Sequence, residues 1–152
     1  MRVVLQRVSR ASVRVDGKLL GEIGTGYVLL VAAGADDRPD EPERLARKIA
    51  GLRVFADGAG KMNRSIEEAG GSVLLISQFT LYADLRRGRR PSWTGSAEPA
   101  VAEERLEALR RALVTEGLAV ATGRFGSHMD VELVNDGPVT LILDGRELSS
   151  DG

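Results

Sequence analysis

Over its first 35 residues the chain spaces apolar side chains as strands do. In SVRV, Val13 and Val15 alternate with polar neighbours, and VVLQRV before it reads as a further strand. Asp16-Gly17 is a strong hairpin-turn signal. KLLGEI returns from that turn, and the nearly unbroken apolar run YVLLVAAG reads as a strand buried on both faces. The period then changes. Leu45, Ile49 and Leu52 fall at i, i+4 and i+7, which predicts an amphipathic helix beginning at Asp40. Pro42 sits in its first turn, where a missing N–H costs little, and Glu43 lies three residues after the cap, as in a capping box. RVFAD at 53–57 predicts a short strand, with DGAGK as its turn. SVLLISQFTL at 72–81 is apolar and then abruptly polar, as a buried strand would be on reaching a cleft. From Glu98 to about Glu116 a second helix is expected, with Val101, Leu106, Leu109 and Leu113 along one side and Gly117 as its stop. HMDVELVNDGPVTLILDG alternates at Met129, Val131 and Leu133, turns, and re-enters the sheet. Strands outnumber helices and the helices come irregularly. The expectation is an α+β fold: a mixed, largely antiparallel sheet with two main helices, in one domain over residues 1–145.

A chain of 152 residues can bury a sizeable core without metals or disulfides. The absence of cysteine excludes disulfides, iron–sulfur clusters, thiolate zinc sites and cysteine nucleophiles. It is compatible with a reducing cytosol, and a cytoplasmic location is expected. The arginines at 2, 7 and 10 do not suit a signal peptide. The longest apolar run, residues 27–33, is too short to span a bilayer. The net charge of −1 gives no reason to expect nucleic acid. Locally the picture differs, because Arg86, Arg87, Arg89 and Arg90 crowd into five positions. That loop is either a solvated surface or a phosphate contact, since guanidinium forks match phosphate oxygens.

Conventional catalytic equipment is scarce. The one histidine, His128, reads as a surface or packed residue. There is no GxSxG elbow for a Ser-His-Asp triad and no ligand set spaced for zinc; no metal or cofactor is expected. The glycines of GEIGTGY lie between strands and do not open a helix, so they make no dinucleotide loop. Two segments remain. In SQFTL, the polar Ser77, Gln78 and Thr80 surround Phe79 at a strand end. In NDGPVT, Pro138 stands at the entrance of a strand, a position where proline is tolerated.

Three blocks together are more telling. LQRVSRASVRVDG, GKMNRSIEEAGGSVLLISQFTLYAD and TGRFGSHMDVELVNDGPVT resemble the D-aminoacyl-tRNA deacylase family, in its order and spacing, from Met1 to about Leu143. SQFTL and NDGPVT resemble its two signature motifs. The resemblance implies a homodimer that hydrolyses the ester between a D-amino acid and the 3′-terminal adenosine of tRNA, and that also cleaves glycyl-tRNA. It implies that Ser77, Gln78, Phe79, Thr80 and Leu81 lie at the adenosine and carbonyl end of the pocket. It further implies that Gly137 and Pro138, as a Gly-cis-Pro, reach into the partner's active site, that Arg7 orients that loop, and that Phe125 forms a pocket wall. Arg86, Arg87, Arg89 and Arg90 would then touch the acceptor end. Catalysis would rest on backbone N–H groups near Phe79 and Thr80 and a tRNA ribose hydroxyl, or alternatively on Thr80 as a nucleophile. Two other readings stay open: a related deacylase with a trans Gly-Pro that edits L-alanyl-tRNA, and a non-catalytic tRNA-end-binding domain. The tail, residues 146–152, lies outside the resemblance and is expected to be frayed.

Overall fold

The computed structural model describes residues 1–149. Its spine is one long strand, β1 (Arg2–Val15). The turn at Asp16-Gly17, with φ of 50° and 75°, leads into β2 (Lys18–Ile23). The turn has two residues with positive φ, as the twist of a tight hairpin requires. β3 (Gly26–Ala32) follows, then α1 (Glu41–Gly51), the small hairpin β4 (Phe55–Ala56) and β5 (Met62–Arg64), and β6 (Ser72–Ser77). A single 3₁₀ turn (Phe79–Tyr82), α2 (Pro99–Thr115), β7 (Val120–Thr122) and β8 (Asp130–Asp144) complete it.

β1 pairs antiparallel with β2, β3 and β8, while β3–β6 and β6–β7 are parallel. Each parallel step needs a crossover, and α1 and α2 supply the two. The sheet is therefore mixed and largely antiparallel around β1, with two helices, as the hydrophobic pattern predicts.

Both faces of the central strands are covered. Tyr27, Leu29 and Val31 of β3 and Val73 and Leu75 of β6 pack towards α1 and α2, against Leu45, Ile49, Leu109 and Leu113. The alternate residues, Val28, Leu74 and Ile76, face a second, smaller core with Val8, Ala11 and Val13. This explains the unbroken apolar runs. β1 changes sides along its length. Val3 and Leu5 belong to the helix-side core, Ala11 and Val13 to the other. Residues of equal parity share a face unless the register slips, and the ladder to β8 shifts between Gln6 and Val8 and again between Val8 and Arg10. The two strands expected from the sequence are thus one strand with an irregularity.

Further expectations are corrected. Asp40 precedes α1 but makes no side-chain cap, because its own backbone is already helical (φ −88°, ψ −3°); its carboxylate instead lies 3.6 Å from Arg44. Glu41, not Glu43, accepts the N–H of Arg38, at 3.0 Å. Val101 is 45 % exposed, since the buried stripe of α2 begins a turn later, at Leu106. RVFAD shrinks to the two-residue β4. At NDGP the chain does not turn into a new strand. Both halves of β8 pair with the same edge of β1, and residues 136–139 bulge out between the pairs Val8–Asn135 and Gln6–Thr140. Beyond β8, Arg146 bonds Asp144 at 2.6 and 3.0 Å and Leu148 packs against the helix-side core. The rest of the expected frayed tail, residues 150–152, lies outside the described residues.

Candidate active site

The residues singled out by sequence sit on two elements in different parts of the fold. The first is the end of β6. The Gln78 N–H donates to Val31 O at 2.7 Å, which ties this end to the end of β3. The 3₁₀ turn follows, closed by Leu81 N–H to Gln78 O at 3.1 Å. Arg2 holds it from the far side. Its guanidinium donates to Leu81 O at 3.0 Å and lies 4.4 Å from the centre of the Tyr82 ring. Tyr82 is itself buried, and Gly34 makes room for it: a Cβ at position 34 would stand 2.6 Å from Tyr82 Oη. Burial, with Asp37 and Asp144 nearby, pushes the Tyr82 hydroxyl above its ordinary range, so it stays neutral and is no base at physiological pH.

The N–H groups of Phe79 and Thr80 open the turn and so have no acceptor one turn earlier. Gln78 Nε2 donates to Thr80 Oγ1. A carboxamide N–H cannot take a proton, so that contact gives Thr80 no base. His128 also lines the cavity described next, but its ring is 95 % exposed and lies 3.9 Å from Asp130.

A cavity of about 710 Å³ opens beside the turn. Ser77, Gln78, Phe79 and Phe125 all line it, together with Trp93 and Leu106. Phe79 and Trp93 meet edge to face, ring centres 4.9 Å apart at 61°. Thr80 and Leu81 are not among the lining residues. Thr80 is exposed, and Leu81 serves through the carbonyl that Arg2 holds. The volume and the three aromatic walls suit a flat, partly apolar ligand.

The second element is the bulge at 136–139. Its Gly137–Pro138 peptide is cis, and both residues are exposed. Arg7 is 13 % exposed in its side chain and spans the loop's foot. Its Nε donates to Asp136 O at 3.1 Å, and Nη1 reaches Val54 O beside the β4–β5 hairpin. The Asn135 carboxamide donates to Arg7 O and to Val139 O, both at 3.0 Å, so it clamps the neck of the loop. Gly137 has φ of 130°, and a Cβ there would sit 2.9 Å from Val139 Cγ2 and 3.1 Å from Arg7 Nη2.

Within one chain the two elements do not meet. Arg7 lies opposite Tyr27, whereas Gln78 bonds Val31, four residues farther along β3. At ~3.3 Å per residue that alone is about 13 Å. No residue of the 136–139 bulge lines the cavity.

The arginine cluster forms a hairpin beside the cavity. Asp84 and Ser92 close its neck through reciprocal backbone bonds of 2.8 and 3.1 Å. Arg86 turns back onto Asp84 at 2.9 and 2.7 Å, which holds that carboxyl at about 2. Arg87, Arg89 and Arg90 are exposed, and among the described residues no ion pair engages them. Sequence reasoning missed Arg2, Trp93 and Asn135 as site residues. Trp93 carried a signal, as the single tryptophan closing the arginine run. Arg2 carried none, because its partner lies 79 residues away.

The chain matches the family model described as D-Tyr-tRNA(Tyr) deacylase over residues 4–144. It is 54 % identical over 147 residues to the D-aminoacyl-tRNA deacylase of Symbiobacterium thermophilum, covering 97 % of each chain. It is also 54 % identical over 144 residues to that of Deinococcus radiodurans, covering 95 % of this chain and 99 % of the relative. Among solved structures, one described as a c-Myc DNA Unwinding Element Binding Protein superposes with a TM-score of 0.87 at 36 % identity, over 95 % of this chain and 98 % of that one. A probable eukaryotic D-amino acid tRNA deacylase shares the fold, with a TM-score of 0.77 at 17 % identity over 93 % of this chain and 97 % of that one. The chain therefore belongs to the D-Tyr-tRNA(Tyr) deacylase family.

Proposed function

We propose that this enzyme, a D-aminoacyl-tRNA deacylase, works as a homodimer in which each Gly137–Pro138 loop enters the partner's cavity and tests the handedness of the bound aminoacyl group. The observation that supports this most is the separation of the two motifs. An exposed loop braced by Arg7 and Asn135 does not line its own cavity, and a second copy can unite them.

The cavity receives the terminal adenosine between Phe79 and Phe125, with the ester carbonyl at the opening of the 3₁₀ turn. Water adds to the carbonyl carbon, and the developing oxyanion accepts hydrogen bonds from the Phe79 and Thr80 N–H groups. The bond to the ribose oxygen then breaks. The ribose oxygen takes one of the water's protons, the other passes to solvent, and the amino acid leaves as a carboxylate. The adjacent ribose hydroxyl orients the water at the turn, since the lining side chains that could take a proton, Glu98 and His128, are both exposed. Thr80 does not act as nucleophile, because its partner, Gln78, is a donor.

Selection by handedness is steric. Backbone carbonyls near the α-carbon leave room for hydrogen on one face only, so an L side chain collides and a D side chain points outward. Discrimination of 10⁴ needs about 5.5 kcal/mol, whereas attraction to a small apolar group supplies only ~1–3. Exclusion by fixed backbone can provide the remainder. Glycine has nothing to exclude, so glycyl-tRNA is cleaved as well. The deciding assay compares D-tyrosyl-tRNA, L-tyrosyl-tRNA, glycyl-tRNA and L-alanyl-tRNA. Release from the D-tyrosyl and glycyl substrates alone is expected; preference for L-alanyl-tRNA would assign the editing type, and no release at all would leave a binding domain.

A further inference from the structure

We infer that Trp93 and the arginine hairpin form a second subsite, which stacks and neutralises the single-stranded nucleotides just before the terminal adenosine. The inference rests on the reading above, that the cavity takes an RNA 3′ end.

Three observations carry it. Trp93 lines the cavity, touches Phe79 edge to face, and remains 39 % exposed. A partly open indole continuing an aromatic wall is a platform on which a base of any identity can stack. Next, Trp93 directly follows Ser92, which closes the hairpin neck with Asp84. The tip is thus three to four residues from the neck, at most about 13 Å at full extension, a span that a few stacked nucleotides at ~3.4 Å each can match. Last, the four arginines are not equivalent. Arg86 is consumed in a bidentate pair with Asp84 and serves to brace the neck. Arg87, Arg89 and Arg90 have no carboxylate partner among the described residues and stand free for phosphate. On a chain of net charge −1 this is a local cationic island at the end of an aromatic path. The subsite thus separates two tasks: the cavity holds the reacting nucleoside, and the hairpin holds the strand that delivers it.

Trp93 is the only tryptophan, so its fluorescence reports on this place alone. The test titrates the wild-type protein with the uncharged RNA ACCA and with AMP, across a salt series. ACCA is expected to quench Trp93 with a salt-dependent affinity, and AMP to show almost no salt dependence. Replacing Arg87, Arg89 and Arg90 together by Ala should lower the log–log salt slope by about 2, at ~0.7 per single-strand phosphate contact. Measured by calorimetry, because these variants lack the fluorophore, Trp93→Ala should weaken ACCA about tenfold, within the range for lost base stacking, and Trp93→Phe should restore most of it. An unquenched Trp93 with bound ACCA, or an unchanged slope in the triple variant, overturns the inference. Deacylation of D-tyrosyl-tRNA by the same wild-type preparation keeps the two claims apart. Activity with a silent Trp93 removes only the subsite, whereas quenching without hydrolysis removes the catalytic reading.

Discussion

At Thr80 the side chain and the main chain make opposite claims on the same chemistry. The hydroxyl is exposed and receives a donor from Gln78, while the N–H groups of Phe79 and Thr80 open the turn beside the cavity. If the backbone does the work, Thr80→Ala keeps D-tyrosyl-tRNA hydrolysis within about tenfold of wild type. Phe79→Pro, which deletes one N–H, should lose at least a hundredfold, the scale of a missing oxyanion donor. Phe79→Ala separates loss of the ring from loss of the donor. Rates on the three variants decide between the routes, and an inactive but folded Thr80→Ala restores the nucleophile. Arg7 poses a question of shape. Its planar fork reaches Asp136 O with one nitrogen and Val54 O with another, which a lysine ammonium cannot reproduce. Arg7→Lys is therefore expected to lower activity at least tenfold at saturating substrate, with only a small shift in melting temperature. An unchanged rate would make Arg7 a packing residue.

The elements show how far the sequence could be read. The periods of β3, β6 and α2 were legible because burial alone sets them, and Ser77 to Phe79 followed as the polar end of an apolar strand. The bulge in β8 was not. Its meaning depends on β1, more than 120 residues away, which pairs with β8 on both sides of the bulge. Nor could the pattern show that Val101 faces outward, since a helix stripe is defined only by what it packs against. Gly137 tests the bulge itself. A side chain at φ 130° is strained, and its Cβ would press on Val139 and Arg7; Gly137→Ala should cost about 1–3 kcal/mol locally and abolish activity, with the sheet intact by circular dichroism. The end of the same strand carries a pH signature. Hydrogen bonds from Arg146 hold the Asp144 carboxyl at about 2, against an ordinary 3.8. A depressed carboxylate stabilises the fold above its unfolded pKa and loses that contribution as pH falls towards the folded one. Urea midpoints should therefore drop between about pH 4 and 2, and Asp144→Asn should flatten that stretch; an equal slope in the variant would assign the acid sensitivity to other groups.

At the scale of the whole molecule, the two motifs are held apart by one sheet. If sites are completed across a two-fold axis, Phe79→Pro and Gly137→Ala damage different halves. A heterodimer of the two variants then contains one doubly damaged site and one intact site. Random exchange makes half the dimers mixed, so a mixture of two inactive proteins should recover about a quarter of wild-type activity. Recovery of none, with exchange demonstrated by mass, would mean that each chain completes its own site. The free face of β8, where Ile142 is 80 % exposed, is a natural place to look for the contact.

The pairing of β1 with β8 also has a consequence for how the protein is born. Residues 2–14 leave the ribosome more than a hundred residues before their partners at 130–144. Until then one flank of the earliest strand has no neighbour, and open strand edges invite association with other chains. Closing so distant a ladder is slow compared with local folding. The nascent chain can build its helices and inner strands while it is still being made, but the Gly137–Pro138 bulge can take its place only once β8 has emerged to pair with β1.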